Sequence, residues 1–357
     1  MKGNPAMSWF NRRRFLAATG ATVATAAINA LAAPTASRPT SITVRDAGGS
    51  YVDAFREAFY LPFEAKTGIK VVSAASAPEP TAQIKAMVEA NSYTWDVALL
   101  SLAAYDQLVQ QNLLAPLNIG GSAYDDLPAQ YKRPQFAGVD VFATVLAYRT
   151  DTVKRAPTSW QDFWDVKNFP GRRGLRSNPF DTTEIALMAD GVPTGSVYPC
   201  DLDRAFGILD RIRPSVNAWW TAGAQSTQLI QTGEVDMIAM WNGAAQRTID
   251  AGAPVKLVWN QNIAGVEGFC IPRGTPRAEA AREFIAFAMQ PQQQAILSKY
   301  MTYGPTNPKA YQYIDAKRAR ALSTNPEYQK TALAINNEYW VANKDRALER
   351  FNAWRVK

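Results

Sequence analysis

Four groups of residues in this 357-residue chain have the types and spacing to do chemistry, and none contains histidine, which the sequence lacks altogether. The stretch GEVDMIAMWNG, residues 233–243, is apolar from Val235 to Met240 apart from Asp236 and ends in Trp241, Asn242 and Gly243. It reads as a short buried strand that delivers an indole and an amide to its carboxyl end, where open α/β sheets hold their ligands. Asp181 and Glu184 stand three apart at the start of a predicted helix, side by side on one face. Gly48-Gly49-Ser50 makes a tight turn into a helix and exposes backbone N–H groups that suit a carboxylate or phosphate. Arg176, at the end of a predicted strand, would clamp the same anion.

The composition removes most catalytic machinery. Without histidine there is no Ser-His-Asp or Cys-His catalysis, no HExxH zinc site and no His-ligated metal. Cys200 and Cys270 are too few for a cysteine-only metal centre. An exported hydrolase would have to rely on a carboxylate pair such as Asp181 and Glu184, but glycosidases set their two carboxyls across the sugar rather than next to each other. The two acids also fit a plain helix N-terminus, where the dipole favours each by ~0.3–1 kcal/mol. No cofactor and no metal is expected, and the chain reads as a non-enzyme.

Asn11-Arg12-Arg13-Arg14-Phe15-Leu16, the Ala/Thr-rich run after it and Ala30-Leu31-Ala32 resemble a twin-arginine export signal over residues 1–32. That stretch holds Lys2, Arg12, Arg13 and Arg14 and no acid, so its removal leaves 34 basic and 31 acidic residues, net +3. The basic balance belongs largely to the signal. No basic run remains to suggest nucleic-acid binding, and the expected product is soluble, periplasmic and monomeric.

The elements that must hold these groups alternate. Strands are expected at 42–44, 69–72 and 95–100, with an amphipathic helix capped by Ser50 running to about Lys66 and another from about Thr81 to Asn91. Alternation of this kind predicts a parallel sheet covered on both faces. Val139 to Tyr148 is long, β-rich and unbroken, suited to crossing between two lobes. In the second lobe a turn at 170–174 leads into a strand, helices follow from about Thr183 and from Asp201 to Arg213, and the Trp241 strand and 255–259 complete its sheet. The polar run Asn260 to Gly268 reads as loop, Phe269–Pro272 as the return, and the tail from Ala310 as helix. Of Trp219 and Trp220, at most one reaches a cleft.

Six pieces in this order resemble the extracellular solute-binding proteins of ABC importers, especially the polyamine-binding (PotD-like) branch. They are Pro62–Ile69 (PFEAKTGI), Trp95-Asp96-Val97 with Leu113–Leu117, Trp160 through Gly174, 233–243, Ile271-Pro272-Arg273-Gly274 and Tyr303–Asn307. The resemblance implies a two-lobed α/β clamshell, each lobe a mostly parallel sheet flanked by helices: a first lobe of 41–147 plus 272–308 and a second of 148–271 plus 309–357. Its partners would be a small ligand and an inner-membrane permease. Carried over position by position, Asp181 and Glu184 match the family's acid pair, Trp241 its stacking tryptophan, and Glu267 its last acid. Ser101 and Tyr303 match first-lobe ligand positions; Gly49, Ser50 and Asn242 complete the expected set. Carboxylates gripping ammonium groups, with a cation–π contribution of ~0.5–2 kcal/mol from the indole, would capture a polyamine such as putrescine or spermidine.

The departures point elsewhere. Gly265 and Ala103 stand where the polyamine branch carries aromatics, and Asp46–Tyr51 (DAGGSY) replaces its first-loop turn. A short ligand with both charges, such as 4-aminobutyrate, competes with the polyamines. A ferric-ion receptor would need adjacent tyrosines, which Tyr300 and Tyr303 are not.

Overall fold

The computed structural model describes residues 38–76 and 79–356, so the export signal over 1–32 lies outside the described residues. The longer strands are β1 (Ser41–Arg45), β2 (Lys70–Ser73), β3 (Val97–Ser101), β4 (Phe136–Arg149), β5 (Arg173–Arg176), β6 (Val216–Trp220), β7 (Met237–Trp241) and β8 (Val255–Pro272). They lie in the spatial order β2-β1-β3-β8-β4-β7-β5-β6. β1 pairs in parallel with β2 and β3 at one end, and β5 pairs in parallel with β6 and β7 at the other. Between them β4 and β8 run antiparallel and belong to both halves. Strands such as β3, four of whose five residues are buried, are apolar without alternation because helices cover both faces.

The helices that bear on function begin with α1 (Ser50–Phe55), which passes through a π-helical turn at Arg56–Tyr60 into α2 (Leu61–Thr67). Gly68 ends this run at φ 74, a left-handed backbone that glycine adopts without Cβ strain. The others are α3 (Leu102–Gln110), α4 (Pro179–Ala189), α5 (Leu202–Ile212), α6 (Asn242–Asp250) and α7 (Asn337–Arg355). α5 shows why its sequence folds so. Leu202, Ala205, Phe206, Ile208, Leu209 and Ile212 bury one stripe, and the Asp201 side chain accepts the Arg204 N–H at its start.

Hydrophobic cores sit on each half. Ile42, Phe55, Phe63, Val139, Phe269 and Phe284 pack together in the first; Leu146, Trp160, Ile185, Phe206, Trp340 and Phe351 pack in the second. Core membership changes between Val139 and Leu146 on the way out and between Ile263 and Phe269 on the way back. Phe269 and Ile271 therefore lie in the first half, not the second as expected. Cys200 and Cys270 are both free and buried, in different cores.

Other expectations are corrected. Asn260–Gly268 is strand, because β8 continues through it, hydrogen-bonded to β4 on one side and to β3 from Glu267 onward. The first long helix starts at Ser50 itself, with Gly49 as its cap. The tail is only partly helical before α7: short helical turns and a two-residue strand, Leu333–Ala334, precede it. α7 packs Phe351 and Trp354 into the second core and also lies against α3 of the first half.

Candidate ligand-binding site

Strand period places alternate residues of β4 on one face. Asp140, Phe142 and Thr144 share that face, opposite Glu267, Gly265 and Ile263 of β8, with Trp241 of β7 opposite Thr144 on the other side. Phe142 is the half-exposed residue in the middle of an otherwise buried run. Its ring lies over Gly265, so a Cβ there would come within 2.6 Å of Phe142 Cε1. The aromatic that appeared to be missing at Gly265 is thus supplied from the neighbouring strand. Phe142 also meets the Tyr303 ring at 6.2 Å between centroids.

One end of this floor is acidic. The Tyr51 hydroxyl donates to Glu267 Oε2, and the Tyr51 and Tyr303 rings are 5.9 Å apart. Asp140 is fully buried, and neither of its carboxylate oxygens has a hydrogen-bond partner among the described residues. An unpaired buried acceptor costs about 1–3 kcal/mol, more if charged. Burial first, then the neighbouring Glu267, pushes Asp140 well above the usual carboxylate range. Burial likewise pushes Glu267 up to about 7, opposed by the Tyr51 hydrogen bond. The phenols of Tyr51 and Tyr303 are driven far up by burial and by these acids.

The turn that presents Tyr51 is fixed from below. Buried Asp46 accepts the Gly48 N–H at 3.0 Å, the Tyr60 hydroxyl at 3.0 Å and the Ser73 hydroxyl at 2.6 Å. The buried Arg45 guanidinium donates to the Leu99 and Ser76 carbonyls. On the second half, Asn242 accepts the Ala143 N–H at 2.9 Å and donates to the Thr302 carbonyl at 2.8 Å. It rivets the start of α6 to β4 and to the segment before Tyr303. Gly243 lets the Tyr303 ring lie against that helix, since a Cβ would sit 2.7 Å from Tyr303 Cε1.

The opposite end carries a cation. Arg176 Nη1 donates to Asp181 Oδ2 at 2.9 Å, and its guanidinium carbon stands 5.0 Å from the Trp241 ring and 5.9 Å from the Trp220 ring. Asp181 is buried with φ 67, a backbone that residues other than glycine seldom adopt and that tends to mark functional positions. Trp241 Nε1 and Thr144 Oγ1, which face each other in register, are buried polar atoms with no partner among the described residues.

The floor and its two ends bring together Glu267, Tyr303, Trp241 and Asp181, but not every expected residue. Asp181 is the counter-ion of Arg176 rather than a free ammonium acceptor. Glu184 is turned into the second core, where Thr183 and Tyr198 hydroxyls and the Trp340 indole N–H all donate to it. Asn242 spends its amide on the backbone. Both leave the candidate site. Ser101 accepts the Ala104 N–H at the head of α3 and stands in register with Glu267, close to the acidic end. Gly49 opens onto free space at φ 58, beside Ser50 at the start of α1. Trp220 is fully buried, and Trp219 packs on Phe351 and Trp354, so neither is a cleft wall.

Asp140, Phe142 and Thr144 were missed, although a lone acid amid the apolar residues of FAGVDVFATVLAY is itself a signal, because carboxylates are rarely fully buried without a partner.

The model of the bacterial extracellular solute-binding proteins matches residues 58–332. The gamma-aminobutyric acid-binding protein of Pseudomonas aeruginosa is 35% identical over 337 residues, 92% of this chain and 94% of its own length. The solved structure of the Atu4243-GABA receptor superposes with a TM-score of 0.81 at 33% identity, covering 89% of this chain and 98% of that one. The spermidine/putrescine-binding periplasmic protein 1 of Haemophilus influenzae is 22% identical over 314 residues, 82% of each chain. The α/β fold, with its sheet flanked by helices, is theirs as well. By these matches the chain belongs to the bacterial extracellular solute-binding proteins, the substrate-binding components of ABC transporters.

Proposed function

We propose that this protein is a periplasmic receptor for a short zwitterionic ligand, an ω-amino acid such as 4-aminobutyrate, which it delivers to an inner-membrane permease. One observation carries the reading: the two ends of the site differ in charge. Asp140 and Glu267 offer acceptors for an ammonium group, with Tyr51 and Tyr303 around them. At the other end Asp181 occupies only Nη1 of Arg176, leaving the rest of the guanidinium fork and the Trp241 N–H for a carboxylate. The methylenes between would lie on Phe142 and the Trp241 face.

A diamine would need an unneutralised acid at each end. Asp181 is neutralised by Arg176 and Glu184 faces the core, so the polyamine reading has less support here. The similarities agree, standing at 35% identity to a gamma-aminobutyric acid-binding protein and 22% to a spermidine/putrescine-binding one. The halves on either side of β4 and β8 would act as lobes, held shut by a ligand that contacts both. The reading is of a receptor, not a catalyst. Titration calorimetry against 4-aminobutyrate, putrescine and spermidine tests it. The expected result is binding of 4-aminobutyrate at least about tenfold tighter than either amine, one such charge contact being worth about 1.5–3 kcal/mol. Preference for putrescine would reverse the assignment.

A further inference from the structure

Asp140 and Glu267 stand directly opposite each other across β4 and β8, on the face that forms the floor of the site. Side chains so placed have Cβ atoms about 4.5–5.5 Å apart. Asp140 has no hydrogen-bond partner among the described residues, and Glu267 receives the Tyr51 hydroxyl. Two carboxylates that close, one of them fully buried, do not both stay ionised unless a cation joins them.

The groups facing the pair come from every element around it. They are Tyr51 on α1, Tyr303 beside the Gly304–Pro305 strand, Arg45 at the end of β1 with Asp46 next to it, and Glu79 from the loop after β2. Arg247 of α6 acts on Tyr303 from an exposed position. Arg45 favours the ionised form of Glu267, whereas Glu79 opposes it. The Arg45 guanidinium is anchored on the Leu99 and Ser76 carbonyls.

Resting on the ω-amino acid reading, we propose that the empty receptor keeps one proton on the Asp140–Glu267 pair, and that capture of the ligand's ammonium group displaces that proton to solvent. The ligand arrives as R–NH3+ and keeps its three protons. The carboxyl O–H bond breaks, its proton goes to water, and the ammonium then holds both carboxylates by hydrogen bonds. The singly negative pair becomes doubly negative as one positive charge enters and one proton leaves. Burial raises Asp140 well above the usual carboxylate range and Glu267 to about 7. Affinity therefore weakens as pH falls through the range in which the pair takes up protons, roughly tenfold per unit for each proton the ligand must displace.

The test is calorimetry of 4-aminobutyrate at about pH 6, 7 and 8 in phosphate and in imidazole, buffers of small and large protonation enthalpy. The observed heats should differ by the equivalent of about one released proton at one or more of these pH values. Equal heats in both buffers at every one of these pH values, with binding intact, would overturn the proposal. Glu184 also titrates near 7, so E184Q must leave the released proton in place; its loss in E184Q would assign the proton to the wrong site and overturn the proposal equally. Putrescine is run alongside. If it binds with proton release and 4-aminobutyrate does not bind, the ω-amino acid reading fails and the proton displacement stands. If neither ammonium ligand binds, both fall.

Discussion

Two glutamates in this molecule, Glu184 fully buried and Glu267 half-buried, have their acidity shifted alike and sit in opposite circumstances. Glu184 and Glu267 are both pushed up to about 7 by burial. Around Glu184 every need is met: Thr183, Tyr198 and Trp340 all donate to it, and Phe180 stacks on Trp340 at 4.1 Å. Around Glu267 the neighbour across the strand, Asp140, is left without a partner. A perturbed acidity therefore does not by itself mark a binding site. Unmet hydrogen-bonding capacity does, because a structure tolerates it where a ligand will supply the missing partner.

The largest effect that sharpens this contrast is on folding. Trp340→Ala should cost about 3–5 kcal/mol in denaturant unfolding, since it removes a fully buried indole and a donor to Glu184. If instead the loss were below about 1 kcal/mol, the Glu184 cluster would not be a structural core. On the binding side, Asp140→Asn or Glu267→Gln should weaken 4-aminobutyrate by about 2–5 kcal/mol in calorimetry, as expected when one partner of a buried charge pair is removed. Glu184→Gln should leave affinity within about threefold, within the scatter of substitutions that touch no ligand. Equal losses from all three variants would erase the distinction between the sites.

Stability should also follow pH in a defined direction. The folded acidity of Glu184 lies above its unfolded value of 4.5, so the contribution is fully present below about pH 4.5 and is lost as pH rises through about 7. Glu184 contributes about 3 kcal/mol of the loss, so stability should fall less by that amount in Glu184→Gln than in wild type, measured by denaturant midpoints from pH 4.5 to 8. A slope identical in wild type and variant would move the titration elsewhere. The smallest loss predicted for a residue of the site is that of Trp241→Phe. It keeps an aromatic face but loses the unpartnered N–H, so affinity should fall by about 1 kcal/mol, roughly fivefold. No change would mean that the indole N–H does not reach the ligand.

Much of the fold was legible because apolar strands and helix signals repeat in order. β1 to β3, the crossing at Val139–Tyr148 and α5 all follow from period and capping. Asn260–Gly268 was not, because its residues are polar enough to read as loop; its strand pairing comes from β3 and β4, distant in sequence. Of the residues proposed for the site, Trp241 was legible from its position at a strand end, and Glu267 and Tyr303 only from the family resemblance. Phe142 was hidden because it fills Gly265 from another strand, a replacement that no local pattern reveals. The role of Asp181 was half visible. Its acid and helix start were plain, but its pairing with Arg176 depends on a left-handed backbone at residue 181.

The opposed charges of the two ends are tested most directly by a crystal structure with 4-aminobutyrate bound. The ligand ammonium is expected within hydrogen-bond distance of Asp140 or Glu267, with its carboxylate on Arg176 and alongside Trp241. A ligand lying the other way round, or with its ammonium on Asp181, would contradict the account.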